Sequence, residues 1–206
     1  MEIRSFLAFE LPPDLRGIIS RVAADAGRFP LDVRWVNPAN IHLTALFIGN
    51  VPEGRIKPMG RIAAGVCRGH RPFSVSPRGM GLFGSRRHPR VLWIGLEADI
   101  DRMSQFRDDL QESLSRFGIK RENRPFNAHL TLGRFRRGRG PSRHMDELLS
   151  SGEDLTGPAF ILKELVLYKS DLRRGGAVYT RLDAWPLGED PTTGGRKTSP
   201  TESEIR

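Results

Sequence analysis

Apolar residues along this chain fall into alternating strand-like and helix-like runs. Ile3 to Phe9 is mostly apolar and has the length of a buried strand. Pro12-Pro13-Asp14 then opens a helix, because proline is tolerated in a first turn, and Leu15, Ile18, Ile19, Val22 and Ala26 share one of its faces. Val33 to Val36 predicts a short strand, and Asn37-Pro38-Ala39-Asn40 a loop by its turn chemistry. A further strand runs from His42 to near Gly49. Glu53 to Arg68 carries apolar residues at helical spacing, and Phe73-Ser74-Val75 alternates as a strand does. Gly79 to Arg90, rich in Gly and Arg, reads as a loop between two halves.

Val91 to Leu96 begins a second pass through the same order. Asp101 is positioned to cap a helix whose stripe of Met103, Phe106, Leu110, Leu114 and Phe117 faces a core. Ile119 to Phe126 leads into a strand holding His129, and Ser142 to Ser151 is a shorter helix. Phe160 to Tyr168 and Val178 to Leu182 form a hairpin around Arg173-Arg174-Gly175-Gly176. From Gly188 onward the only large apolar residue is Ile205, which predicts a disordered tail over 188–206. Residues 1–187 then form a single domain, with half-repeats of approximately 1–85 and 88–187. Strand-helix-strand-strand-helix-strand, roughly twice, is an α+β pattern with antiparallel sheets and outer helices.

The two passes are also related residue by residue. His42-Leu43-Thr44 recurs as His129-Leu130-Thr131, an offset of 87 residues, and at that offset Pro38 matches Pro125, Asn40 matches Asn127, Glu10 matches Glu97 and Asp14 matches Asp101. A period this long is no solenoid. It predicts two lobes related by a pseudo-twofold axis, facing each other across a central cleft. Side chains two apart on a strand share a face, so each triplet presents an imidazole beside a hydroxyl, with Leu43 and Leu130 turned toward the core.

Composition narrows the class. The chain has 206 residues, 38% hydrophobic and 28% charged, as soluble globular proteins do, with no apolar run of membrane-spanning length and no charged-then-apolar leader. Cys67 is alone, so no intramolecular disulfide forms, and a cytoplasmic monomer is the simple expectation. Net charge is +9. Eight basic residues (Lys120, Arg121, Arg124, Arg134, Arg136, Arg137, Arg139 and Arg143) stand against one acid, Glu122, and Arg86, Arg87 and Arg90 form a second cluster. Because the second triplet lies inside the basic stretch, a polyanion such as nucleic acid is favoured over a merely solvated face.

Two facing histidines suit in-line phosphoryl chemistry: one takes a proton from water, the other protonates a departing oxygen, and hydroxyls hold the non-bridging oxygens. Zinc ligation is the rival. No Cys lies near either triplet, Thr is a poor ligand, and there is no His-Glu-x-x-His, so neither metal nor cofactor is expected. No Gly-x-x-x-x-Gly-Lys-Ser/Thr loop supports ATP use.

HLTA at 42–45 and HLTL at 129–132 resemble the paired His-x-Thr-x motifs of the 2H phosphoesterase superfamily. FLAFELP at 6–12, RVLWIGLE at 90–97, NRPFNAHLTLGR at 123–134 and LVLYKSDL at 165–172 resemble its RNA 2′,3′-cyclic phosphodiesterase branch, also called 2′-5′ RNA ligases. The resemblance implies hydrolysis of RNA 2′,3′-cyclic phosphate ends to 2′-phosphomonoesters, with reversible 2′-5′ ligation as a side reaction. It also implies His42 as proton donor, His129 as proton acceptor, and Thr44 and Thr131 as phosphate ligands. Arg134, often Arg in that family, is a phosphate ligand or a structural residue; regular alternation puts it on the face opposite His129. Phe47 and Trp93 are expected in the core rather than against a nucleobase, and His70, His88 and His144 on the surface. A non-catalytic RNA-binding module is the alternative, but it gives no reason for two matched His-Thr pairs.

Overall fold

The computed structural model describes residues 1–136, 143–173 and 176–188. The expected tail, from residue 189 on, lies outside them, as do Arg137 and Arg139 of the basic stretch and Arg174-Gly175 of the hairpin turn. The elements in order are β1 (Glu2–Glu10), α1 (Pro13–Ala26), β2 (Val33–Trp35), β3 (His42–Pro52), α2 (Ile56–Arg68), β4 (Phe73–Gly84), β5 (Pro89–Ala98), α3 (Ile100–Leu114), β6 (His129–Phe135), α4 (Arg143–Ser151), β7 (Phe160–Leu162), β8 (Glu164–Arg173) and β9 (Gly176–Pro186).

The α+β architecture is as expected, with every pairing antiparallel. The strand order is β7-β4-β5-β6-β3-β1-β8-β9, with β2 on β6. The sheets of the two lobes meet edge to edge. Between β6 and β3 the ladder has one pair, Leu43 opposite Leu130, the middle residues of the two triplets. Each lobe also borrows strands from the other half of the sequence. β4 leaves the first half to pair with β5, while β8 and β9 from the second half complete the sheet of β1 and β3.

Burial follows the apolar pattern. Leu15 and Ile19 of α1, and Phe106, Leu110 and Leu114 of α3, are buried. Phe9, Phe73 and Phe106 meet with ring centroids 5.5–5.7 Å apart, tying β1, β4 and α3 together. His70, expected on the surface, is half-buried: its Nε2 lies 2.8 Å from Asp109 Oδ2, and its ring meets Phe106 edge-on. The third helix starts earlier than expected. Asp99, not Asp101, is the cap and accepts from the Arg102 N–H, leaving Asp101 in the first turn as Asp14 is in α1.

The segment 79–90 is not a loop. β4 runs through Gly84 and β5 starts at Pro89, so only 85–88 turn. Its glycines answer close contacts rather than chain reversal. Gly79, at φ +65°, sits at a β-bulge between Arg78 and Met80. Gly81 lies directly beneath the Trp93 indole, where an added Cβ would come within 2.3 Å of the ring. Gly81→Ala therefore forces the indole off its position. We expect it to cost about 1–3 kcal/mol in urea unfolding; an unchanged midpoint would show that the indole shifts freely.

Candidate active site

The register that joins the lobes also brings the triplets together. With Leu43 opposite Leu130 in an antiparallel pair, His42 lies toward Thr131 and His129 toward Thr44. Both leucines are buried, at 1% and 0% exposure, while both histidines and both threonines are half-buried on the other face. The pseudo-twofold axis passes between the two leucines.

The histidines are oriented identically. His42 Nδ1 lies 2.7 Å from the Asn40 carbonyl, and His129 Nδ1 lies 2.8 Å from the Asn127 carbonyl. A carbonyl only accepts, so each Nδ1–H donates and each Nε2 is left with its lone pair toward the cleft. The repeated asparagines thus act through their main chain. Asn40 is itself tethered, its side-chain amide donating to the Ala177 carbonyl of β9 at 3.0 Å.

Aromatic rings wall both imidazoles, and the sequence alone assigns most of them no part. Phe6 stacks on His42 at 4.7 Å and Tyr179 meets it edge-on at 5.3 Å, while Phe83 meets His129 edge-on at 4.7 Å and Trp93 at 6.5 Å. A cavity of about 260 Å³ opens beside His42, lined by Glu10, Arg16, Tyr168, Tyr179 and Arg181. Tyr168 donates to Glu10, and burial together with this contact pushes its phenol well above the usual range. Burial is also the main cause that lowers both histidines below 6.5, against the upward pull of their carbonyl partners. The Arg134 charge lowers both as well.

The register of β6 places Arg134 in the cleft, against the expectation from regular alternation and in keeping with its effect on both histidines. Leu92 pairs with Gly133 and Trp93 with Thr131, so Leu132 is an extra residue and β6 is bulged. The bulge flips the parity of everything beyond it and returns Arg134 to the face of His129 and Thr131. β3 is bulged at the corresponding place: Leu7 pairs with Leu46 and Ala8 with Thr44, which leaves Ala45 extra. Position for position, Phe47 stands where Arg134 stands. Phe47 is accordingly not core but 49% exposed, with the Arg4 guanidinium 4.7 Å over its ring. The Glu10 and Glu97 match, by contrast, is out of structural register. Glu10 pairs with His42, whereas Gly95 pairs with His129.

A family profile described as LigT-like phosphoesterase matches residues 9–93 and again 94–179. The chain belongs to this family. The two matches are the two repeats of the 2H phosphoesterase fold. Among curated relatives, an RNA 2′,3′-cyclic phosphodiesterase of Methanothermobacter thermautotrophicus is 32% identical over 91% of this chain and 100% of its own length. One of Escherichia coli is 28% identical over 89% of this chain and 96% of its own. Among solved structures, TT0787 of Thermus thermophilus superposes with a TM-score of 0.75 at 25% identity, over 91% of this chain and 100% of that one. E. coli LigT with 3′-AMP gives 0.70 at 27% identity, over 91% and 99%.

Among the described residues no three His, Cys, Asp or Glu side chains gather as metal ligands. His88 and His144 lie apart from the triplets, His144 Nδ1 being 3.1 Å from Glu147.

The lowered histidines set a stability window. A folded-state pKa below the unfolded value means that the unfolded chain binds more protons, so stability is complete above pH 6.5 and falls as pH drops below it. Nitrogen-15 NMR at pH 7 is expected to find both rings neutral with the proton on Nδ1, and both midpoints below 6.5. A midpoint above 6.5 for either ring would overturn this account of the site.

Proposed function

We propose that this protein hydrolyses RNA 2′,3′-cyclic phosphate ends to 2′-phosphomonoesters without metal or cofactor, His129 acting as base and His42 as acid. The observation that carries the reading is the matched pair of imidazoles, each with Nδ1–H spent on a main-chain carbonyl and Nε2 open to one cleft. In-line displacement needs the attacking and leaving oxygens on opposite sides of phosphorus, and two groups related by a twofold axis supply that. A water oxygen attacks phosphorus while His129 Nε2 takes its proton. The bond to O3′ breaks, and protonated His42 gives its Nε2 proton to that oxygen. His129 leaves the turnover protonated and His42 neutral, and exchange with solvent resets both. Thr44 and Thr131 donate to the non-bridging oxygens, and Arg134 offsets the negative charge that builds there.

The relatives' names support the substrate class, and the assignment of acid and base rests on resemblance, since the symmetry alone is indifferent to it. With a 5′-hydroxyl RNA end in place of the attacking water, the same groups carry out reversible 2′-5′ ligation. In this reading residues 1–187 work as one domain, in a cytoplasmic monomer. No helix of the described residues is long and apolar enough to cross a membrane.

The test is turnover of an RNA bearing a 2′,3′-cyclic phosphate, in chelator, with identification of the end produced. His42→Ala and His129→Ala should each lose about a hundred- to ten-thousand-fold. The double variant should be little worse than the poorer single one, as members of one unit are non-additive. Because both imidazoles sit below 6.5 in the free protein, kcat/KM should be bell-shaped in pH with its optimum on the acid side of neutrality. Thr44→Val and Thr131→Val should keep the bell and lower its height by about a hundredfold. A rate lost in chelator and restored by zinc, or a 3′-phosphate product, would sink the proposal.

A further inference from the structure

β2 is three residues long and pairs only with β6, through Val33 with Phe135, Arg34 with Arg134, and Trp35 with Gly133. Residues directly opposite in an antiparallel pair project from the same face. Arg34 therefore shares the cleft face that the β6 bulge gives to Arg134. Its neighbours in β2 agree, since Val33 and Trp35 turn the other way, against the bare Cα of Gly133, where an added Cβ would come within 2.3 Å of Val33 Cγ1. Two guanidiniums thus stand side by side on adjacent strands. Like charges directly opposite cost stability, and among the described residues neither is joined to a carboxylate. Asp32, two residues before Arg34, is already engaged, by Arg136 among others.

Their reach differs. Arg134 acts electrostatically on both histidines, while Arg34, one strand spacing of about 4.8 Å further out, is not among the charges acting on either. Among the described residues, the symmetry-equivalent positions on the other side hold no such pair. There the position equivalent to Arg134 is Phe47, and Arg121, 87 residues after Arg34, lies in no strand.

Building on the phosphodiesterase reading, we propose that Arg34, beside Arg134, binds the phosphodiester on the 5′ side of the terminal nucleotide, so that the RNA chain leaves the cleft over the β2 edge. The next charge along an RNA end is that phosphodiester. The planar fork of Arg34 matches its pair of non-bridging oxygens, with bonds strengthened by charge on both sides, while Arg134 faces the reacting phosphate. The site makes the enzyme distinguish an RNA end from a lone nucleoside cyclic phosphate, and it gives the substrate a direction.

The experiment compares kcat/KM for three substrates in wild type, Arg34→Gln and Arg34→Lys. They are a nucleoside 2′,3′-cyclic phosphate without a 5′-phosphate, the dinucleotide with the same cyclic end, and that dinucleotide with a neutral methylphosphonate linkage. Wild type is expected to favour the charged over the neutral dinucleotide by about tenfold or more, mainly through KM. Arg34→Gln should remove most of that preference and flatten the salt dependence of the charged dinucleotide, and Arg34→Lys should restore part of it. Absence of turnover of all three substrates by wild type defeats the phosphodiesterase reading and this inference with it. Turnover with a charged-to-neutral preference that Arg34→Gln leaves intact, or an equal loss on all three substrates, overturns this inference alone.

Discussion

One residue pair, Leu43 against Leu130, fixes the relation between the lobes and hence the cleft. Both side chains are fully withdrawn into the core, so the triplets cannot slide without exposing one of them. A slip of one residue in either strand would turn that strand's imidazole into the apolar interior and its leucine into the cleft. The exchange of strands reinforces the join, since pulling the two halves of the sequence apart would also tear β4 from β5 and β1 from β8.

Within that frame, each imidazole is aimed by its own backbone. The carbonyl two residues upstream fixes the tautomer and the ring plane, and the surrounding aromatics exclude water enough to depress proton affinity. The two effects oppose each other, and burial is the larger. A bound anionic phosphate would push the other way, raising both rings. In the mechanism proposed above, the site then takes up a proton as substrate arrives, which is when an acid is required.

Much of this is legible in the chain. The two triplets, their strands, the flanking helices and the α+β class follow from period-two and period-3.6 patterning, and the repeat offset foretells the facing lobes. What escapes is whatever depends on a partner strand. Regular alternation puts Arg134 on the wrong face because a bulge is invisible without its opposite strand. It puts Phe47 in the core for the same reason, since Ala45 shifts its parity as Leu132 shifts that of Arg134. Gly79, Gly81 and Gly84 look like a loop, because in sequence a glycine yielding to an indole or a bulge is indistinguishable from one making a turn. The phenylalanines and tyrosines around the histidines give no signal either. Phe6, Phe83 and Tyr179 come from β1, β4 and β9 and converge only in three dimensions.

The equivalence of Phe47 and Arg134 bears on how such a site is able to evolve. In a dimer of identical half-domains, any substitution appears on both sides of the axis at once. Two identical histidines in identical surroundings have no inherent donor or acceptor, and a guanidinium gained on one side is gained on the other. Joining the halves in one polypeptide lifts that restriction. One copy is then free to keep an aromatic ring under Arg4 while the other carries a fixed positive charge. A symmetric scaffold thereby acquires a front and a back, and a polymer with chemically distinct ends has only one way to lie in it.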